Sequence, residues 1–152
     1  MITAVVSGSF KFKPEIDATI TTLEETGIQV LEPTKGWLIL PSLELTERLR
    51  YGQVRPLPTE ENLSTKEIEE RFLKALGKAS FMYLMNPGGY VGLSASLEIG
   101  FALAGEKPIY ALESLDYDAL EIDDLSWRET LTKVITVLPP KMVAAHFTQN
   151  LS

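Results

Sequence analysis

The residue best placed to do chemistry in this chain is Glu98, which follows a glycine-rich stretch that begins at Asn86. Within five positions the stretch carries Gly88, Gly89 and Gly92. Glycine permits positive φ and lets backbone N–H groups approach a ligand closely. The pattern predicts a loop that runs into a helix over residues 94–104, with Glu98 in its first turn, where the helix dipole favours the ionised carboxylate. A carboxylate held anionic beside a pocket can attack a sugar carbon or stabilise an oxocarbenium ion.

Simpler interpretations of the same residues remain open. Acidic residues are common at helix starts, and glycines also make plain tight turns, so spacing alone does not decide for Glu98 as a reactive group. The glycine spacing differs from the G-x-G-x-x-G of dinucleotide-binding folds, and no Gly-Lys-Ser/Thr follows, as a Walker loop requires.

Strand and helix patterns alternate along most of the chain. A β-rich segment over residues 3–6 is followed by a helix after Pro14, a stop at Gly27 and a short strand over residues 28–31. Further strands are expected over residues 80–85 and 108–112, and residues 133–138 fit either a last strand or the end of a helix that begins near Trp127. A terminal helix is expected over residues 142–150. This alternation predicts an α/β fold with a doubly wound sheet of about five parallel strands.

In such sheets, ligands bind beyond the carboxyl ends of the strands. Two predicted strands end in small residues: the first in Ser7-Gly8-Ser9, the second in residues 86–96. We therefore expect these two turns to form one site. Ser94 or Ser96 can cap the helix or donate to a phosphate, and Tyr90 either lines the pocket or packs against the helix.

The chain reads as one domain over residues 1–152, with an irregular insert or lid at about 34–62. It has no cysteine and one histidine, His146, which excludes disulfides, thiolate sites and multi-histidine metal sites, so no metal or cofactor is expected. The net charge of -7 argues against a nucleic-acid polymer as partner. No apolar run approaches the ~20 residues of a membrane helix, and the start lacks a basic leader, so we expect a cytoplasmic protein without a membrane partner.

Residues 86–110 resemble the nucleoside 2-deoxyribosyltransferase superfamily, which includes the 2′-deoxynucleoside 5′-monophosphate N-glycosidases. The resemblance rests on Gly-Tyr-Val-Gly at 89–92, Glu-Ile-Gly-Phe-Ala at 98–102 and Lys-Pro-Ile-Tyr at 107–110, with a matching strand–Ser-Gly-Ser-Phe–helix opening. It implies a flavodoxin-like fold in three α/β/α layers and cleavage or transfer at an N-glycosidic bond. It also implies a homodimer or higher homo-oligomer, in which one subunit completes the pocket of the other, and a nucleoside or nucleotide as small-molecule partner.

The resemblance also assigns roles to single residues. Glu98 stands at the position of the glutamate nucleophile, which carries the deoxyribosyl group as a covalent intermediate. Asn86 stands near the place of a carboxylate that handles the departing base, and Ser80 replaces an acid at the start of that strand. The ligand loop maps onto Ser7, Gly8, Ser9 and Phe10: the first three contact a 5′-phosphate or 5′-hydroxyl, and Phe10 stacks on the base or serves as a core anchor. Lys11 and Lys13 are candidates for phosphate charge, or are solvated.

Two alternatives compete with a glycosidase or transferase. One is a phosphoribohydrolase of the lysine-decarboxylase-like type. That family carries the motif Pro-Gly-Gly-x-Gly-Thr, and residues 87–93 of this chain match only the start of it. The other is a non-catalytic nucleotide-binding or sensor module that kept the pocket and lost the acid, which Asn86 favours.

Overall fold

The computed structural model describes residues 1–31, 37–40, 53–56, 65–120, 122 and 124–151, with the backbone alone described for residues 10, 37–40, 53–56 and 65. The helices are α1 (Lys13–Glu25), α2 (Thr65–Lys78), α3 (Leu93–Ala104), α4 (Leu125–Val134) and α5 (Pro140–Gln149). The strands are β1 (Thr3–Ser7), β2 (Gln29–Val30), β3 (Trp37–Leu40), β4 (Gln53–Pro56), β5 (Phe81–Leu84), β6 (Ile109–Ala111) and β7 (Ile135–Val137). Short 3₁₀ turns lie at Phe10–Phe12 and Pro87–Gly89.

In the described part of the chain, five strands form one all-parallel sheet in the order β2-β1-β5-β6-β7. This confirms the predicted doubly wound sheet. Both interpretations of the segment near residue 133 hold in part, because α4 ends at Val134 and β7 begins at the next residue. The strand order reverses between β1 and β5, so the crevice beyond their carboxyl ends is where this architecture binds ligands.

Side chains alternate between the two faces of the sheet and build one apolar core on each. One core joins alternate strand residues such as Val5, Met82 and Leu84 to the α2 and α3 residues Phe72 and Ile99. The second core collects the intervening strand residues and the apolar residues of α1 and α5: Ala4, Val6, Phe81, Tyr83, Ile20, Leu23 and Val143. The result is the three-layer α/β/α arrangement, flavodoxin-like as expected.

The insert differs from its prediction. Where the sequence indicated an irregular segment at about 34–62, β3 and β4 pair as an antiparallel ladder, with Trp37 opposite Pro56 and Leu40 opposite Gln53. Strands of four residues are too short for their alternation to stand out between prolines. The remainder of the predicted lid lies outside the described residues. None of the described helices is both long and apolar enough to cross a membrane.

Candidate functional site

The carboxyl ends of β1 and β5 lie side by side, with Ser7 opposite Leu84 in the parallel register. The loop after β1 (residues 8–12, the β1 loop) packs directly on the end of β5, because a Cβ at Gly8 would lie 2.8 Å from the carbonyl oxygen of Met85. No side chain fits in that space, so glycine is required at position 8. The two turns predicted to form one site are thus brought together.

Glu98 reaches this edge of the sheet from α3. The hydroxyl of Ser7 donates a 2.6 Å hydrogen bond to Oε1 of Glu98, and both residues are 0% exposed. That distance lies in the range of a charge-assisted O–H···O⁻ hydrogen bond. The strand end therefore orients the carboxylate.

The helix places Glu98 differently from the sequence prediction. Since α3 begins at Leu93, Glu98 is its sixth residue and lies in the second turn, and no acidic residue occupies the first turn. The expectation of a first-turn carboxylate held by the helix dipole was wrong, because that effect falls off within the first turn. In the structure, the carboxylate is held instead by the hydrogen bond from Ser7.

A cavity of about 190 Å³ opens between the β1 loop and the start of α3, lined by Gly8, Ser9, Tyr90, Gly92, Leu93, Ser94 and Ala95. Helical side chains tilt toward the helix N-terminus, so Glu98 points back to the turn that carries Ser94 and Ala95. Its partner Ser7 directly precedes the cavity residue Gly8. Both relationships place the buried carboxylate next to residues that line the cavity.

The cavity is rich in donors. No side chain caps the start of α3, and the first backbone N–H groups of a helix have no intrahelical partners. Ser9 and Ser94, which both carry hydroxyl groups, line the cavity, and no acidic residue is part of the lining. The lining suits an anionic or hydroxyl-bearing ligand.

A cation and two aromatic rings stand at the rim. The Lys11 ammonium lies 3.4 Å from the ring centroid of Tyr90, and Phe12 meets Tyr90 edge to face with centroids 6.0 Å apart. Tyr90 thus lines the cavity and also packs against the β1 loop. Lys13, the other lysine considered, pairs with Asp17 on α1 at 2.6 Å.

Asn86 is fully buried, and both polar atoms of its side-chain amide form hydrogen bonds with the backbone of one residue, Glu113. Its Nδ2 donates to the carbonyl oxygen of Glu113 at 2.8 Å, and its Oδ1 accepts from the N–H of Glu113 at 3.0 Å. Glu113 lies just beyond the end of β6. Asn86 therefore ties the carboxyl ends of β5 and β6 together.

The 3₁₀ turn after Asn86 packs against the segment that follows β6, and its glycines do not line the cavity. Gly88 and Gly89 both have positive φ, +67° and +78°. A Cβ at Gly89 would lie 2.5 Å from the carbonyl oxygen of Ser114, so this glycine is also needed for close approach. The N–H of Gly88 donates to Oε2 of Glu113 at 2.5 Å.

Several predicted site residues lie apart from the cavity. The Ser96 hydroxyl donates to the Gly92 carbonyl at 2.9 Å, and Ser96 lines a separate apolar groove of about 540 Å³ between α3 and α4. Ser80 lies at the amino edge of the sheet, where its N–H donates to the Thr3 hydroxyl at 3.2 Å. The side chain of Phe10 lies outside the described residues.

His146 lies on α5, where its Nδ1 is 2.9 Å from the hydroxyl of Tyr110. Burial raises the pKa of Tyr110, so this hydroxyl keeps its proton. Nowhere in the described part of the chain do three His, Asp or Glu side chains gather as a metal site would require.

No protein-family model and no curated protein matches the chain. Solved structures do match it. One is the CMP N-glycosidase BcmB of Clostridium botulinum, at 15% identity over 97% of this chain and 95% of that chain, with a TM-score of 0.54. The chain has the nucleoside 2-deoxyribosyltransferase-like fold. A conserved protein from Enterococcus faecalis V583 shares it, at 15% identity over 99% of both chains, with a TM-score of 0.56.

The deoxyribosyltransferase-like fold was expected from the sequence, and the comparisons confirm it. Glu113 is the residue at this edge that sequence reasoning missed. The signal was present, since a carboxylate directly follows the apolar strand at 108–112 and so stands at the carboxyl edge of the sheet.

Proposed function

We propose that the protein cleaves or transfers at the N-glycosidic bond of a nucleoside or nucleoside 5′-monophosphate, with Glu98 as the nucleophile. The observation that carries the proposal is the carboxylate of Glu98, oriented by Ser7 next to a donor-rich cavity at the strand-order reversal of the sheet. The shared fold of a CMP N-glycosidase supports this reaction class. The proposal requires no metal or cofactor.

In the first step, a carboxylate oxygen of Glu98 attacks C1′ of the sugar and the C1′–N bond breaks. The electron pair of that bond goes to the base nitrogen, which takes up a proton as the base departs. Water or a second base then attacks C1′ and returns the electron pair to Glu98. Ser7 serves by holding one carboxylate oxygen, which limits the orientations that Glu98 samples.

The full burial of Glu98 has a consequence for this reaction. A sugar reaches the carboxylate only when the residues that line the cavity move apart. Movement of loops around a ligand completes many active sites and excludes water from the chemistry. We therefore propose that the β1 loop and the residues around Tyr90 shift when substrate binds.

The cavity itself favours a phosphorylated ligand. Two serines, the uncapped start of α3 and the Lys11 ammonium at the rim supply donors and positive charge. A 5′-phosphate satisfies these groups better than a 5′-hydroxyl does, because phosphate accepts several charge-assisted hydrogen bonds.

We also infer a homodimer in which the outer face of α3 is buried. Leu93, Leu97 and Phe101 follow one another at a spacing of four and are 91%, 57% and 41% exposed. The opposite face of α3 is in the core, so the helix is apolar on both sides, as is typical of a buried helix. Leu93 also lines the cavity, so a second subunit on this face completes the pocket.

A non-catalytic binding module is the second candidate, favoured by two observations. Glu98 is fully buried next to the cavity. The Nδ2 and Oδ1 atoms of Asn86 are both hydrogen-bonded to the backbone of Glu113, so neither side chain is exposed to solvent. For Asn86 itself we propose a positioning role in either case.

Chromatography of free base after incubation with deoxynucleosides, ribonucleosides and their 5′-monophosphates tests the proposal. We expect release that is lost in Glu98→Gln and kept in Glu129→Gln, a matched change on the exposed face of α4. Binding without release from any substrate would support the binding module. Formation of a new nucleoside with an added base would show transfer.

A further inference from the structure

We propose that Glu113 is the second carboxyl group of this site, the one that exchanges a proton with the departing base. The inference rests on the proposed N-glycosidic reaction. Asn86 occupies the end of β5 with an amide that cannot protonate a leaving group, and the neighbouring strand end supplies a carboxylate instead.

The register of the sheet brings Glu113 to the same edge as Glu98. Ser7, Leu84 and Ala111 align across β1, β5 and β6, so Asn86 and Glu113 each stand two residues beyond this line. Neighbouring strands are about 4.8 Å apart, which puts the ends of β1 and β6 about 10 Å from each other. Two glutamate side chains and a nucleoside between them span that distance.

The alternation of side chains puts both carboxylates on one face. Leu84 and Ala111 belong to the core beneath α3, while Met85 and Leu112 pack on the opposite face. The next residue after each of these, Asn86 and Glu113, returns to the α3 face, where Glu98 lies. Glu113 is exposed, so a ligand at this edge can reach its carboxylate.

The local hydrogen bonds hold Glu113 in place. Asn86 engages both the N–H and the carbonyl oxygen of Glu113, and the N–H of Gly88 holds one carboxylate oxygen. A fully buried amide that bonds both backbone groups of one residue fixes the backbone from which that carboxylate projects. Asp116, the next acidic residue along the chain, already accepts from the N–H of Ala119 at 3.1 Å.

The chemistry needs such a group. As Glu98 bonds to C1′ and the C1′–N bond breaks, the carboxyl of Glu113 gives its proton to the base nitrogen that receives the electron pair. In the second step, the carboxylate of Glu113 takes a proton from the water that attacks C1′, and the bond from C1′ to Glu98 breaks. Both groups return to their starting states.

The test compares two substrates in wild type and Glu113→Gln. Glutamine keeps an oxygen that accepts from the N–H of Gly88, so the turn is preserved. With an ordinary nucleotide we expect base release to fall about a hundredfold or more, the contribution of a positioned acid. With an N7-methylated purine nucleotide, whose base departs without a proton, we expect less than about a threefold loss in bond cleavage.

Each outcome decides. Equal losses with both substrates, or no loss with either, would overturn the role of Glu113 while leaving the glycosidic reaction standing. A wild type that releases no base from any substrate would overturn the proposed function and this inference with it. Thermal unfolding of Glu113→Gln, alongside Glu129→Gln as the control, shows whether the variant is folded.

Discussion

The hydroxyl of Ser7, the last residue of β1, donates a 2.6 Å hydrogen bond to the Glu98 carboxylate on α3, and both residues are fully buried. The two residues are far apart in the chain, and the bond joins the sheet to the helix that covers it. Because the donor belongs to β1, a strand in the interior of the sheet, the carboxylate is held by the core of the fold. The proposed chemistry depends on this geometry.

Ser7→Ala removes that donor without changing the shape of the strand. We expect kcat for base release to fall about ten- to a hundredfold with little change in KM, because a reacting group displaced by about 1 Å loses rate rather than binding. Steady-state kinetics on the nucleotide released fastest measures this. A rise in KM at unchanged kcat would show that Ser7 contacts substrate instead.

Asn86→Asp tests whether an acid at this position supports the reaction. The substitution replaces the Nδ2 donor with an oxygen beside the Glu113 carbonyl, in a fully buried place. We expect the free energy of unfolding to fall by about 1–3 kcal/mol, the cost of a buried acceptor without a donor, and base release not to rise. Urea denaturation and the base-release assay are the measurements, and a more active variant would contradict the positioning role of Asn86.

The adjacent glycines Gly88 and Gly89 form a matched pair. Both need positive φ, but a Cβ at Gly88 meets open space and one at Gly89 meets the Ser114 carbonyl at 2.5 Å. We expect Gly88→Ala to cost about 1–2 kcal/mol for its φ alone, and Gly89→Ala clearly more. Equal costs in urea unfolding would show that the turn adjusts without strain.

Asp124 caps the N-terminus of α4 and makes stability depend on pH. Hydrogen bonds from the Ser126 hydroxyl and from the N–H groups of Trp127 and Ser126 lower the pKa of this carboxyl. A lowered folded pKa contributes stability at pH values above the ordinary pKa of about 3.9, and that stability is lost as the pH falls through the folded pKa.

We therefore expect Asp124→Ala to have a lower Tm than wild type at pH 7. The difference in Tm between the two proteins should become smaller at acid pH. Circular-dichroism melts at pH 7 and at decreasing pH below about 4 follow the difference. Ser126→Ala, which removes the strongest of the three donors, should show a smaller gap of the same sign. A gap that stays constant with pH would contradict a charged cap.

The sheet was predictable because its signals are local. Short apolar strands, helices with a buried stripe and stops such as Gly27, with a φ of +91°, recur in an order that only a parallel sheet accommodates. The pairing of β3 with β4 was not predictable, since each strand offers four residues and their partners are set by the ladder between them.

The site was predictable as a place and less so as a set of contacts. Strand ends and glycines indicated the β1 loop and the start of α3, but Glu98 lies in the second turn of that helix rather than the first. The bonds from Ser7 to Glu98 and from Asn86 to Glu113 join distant parts of the chain. Such contacts depend on register and on helix rotation, which spacing in sequence does not specify.

The most direct test of Glu98 as nucleophile is the mass of the protein during turnover. A 2′-fluoro-2′-deoxyarabinosyl nucleotide slows the second step, because the fluorine destabilises the oxocarbenium-like transition state that releases the sugar. We expect acid-quenched protein to carry one fluorosugar phosphate, mapped by peptide mass spectrometry to Glu98 and absent in Glu98→Gln. Base release with no adduct, or with an adduct on another residue, would contradict the account.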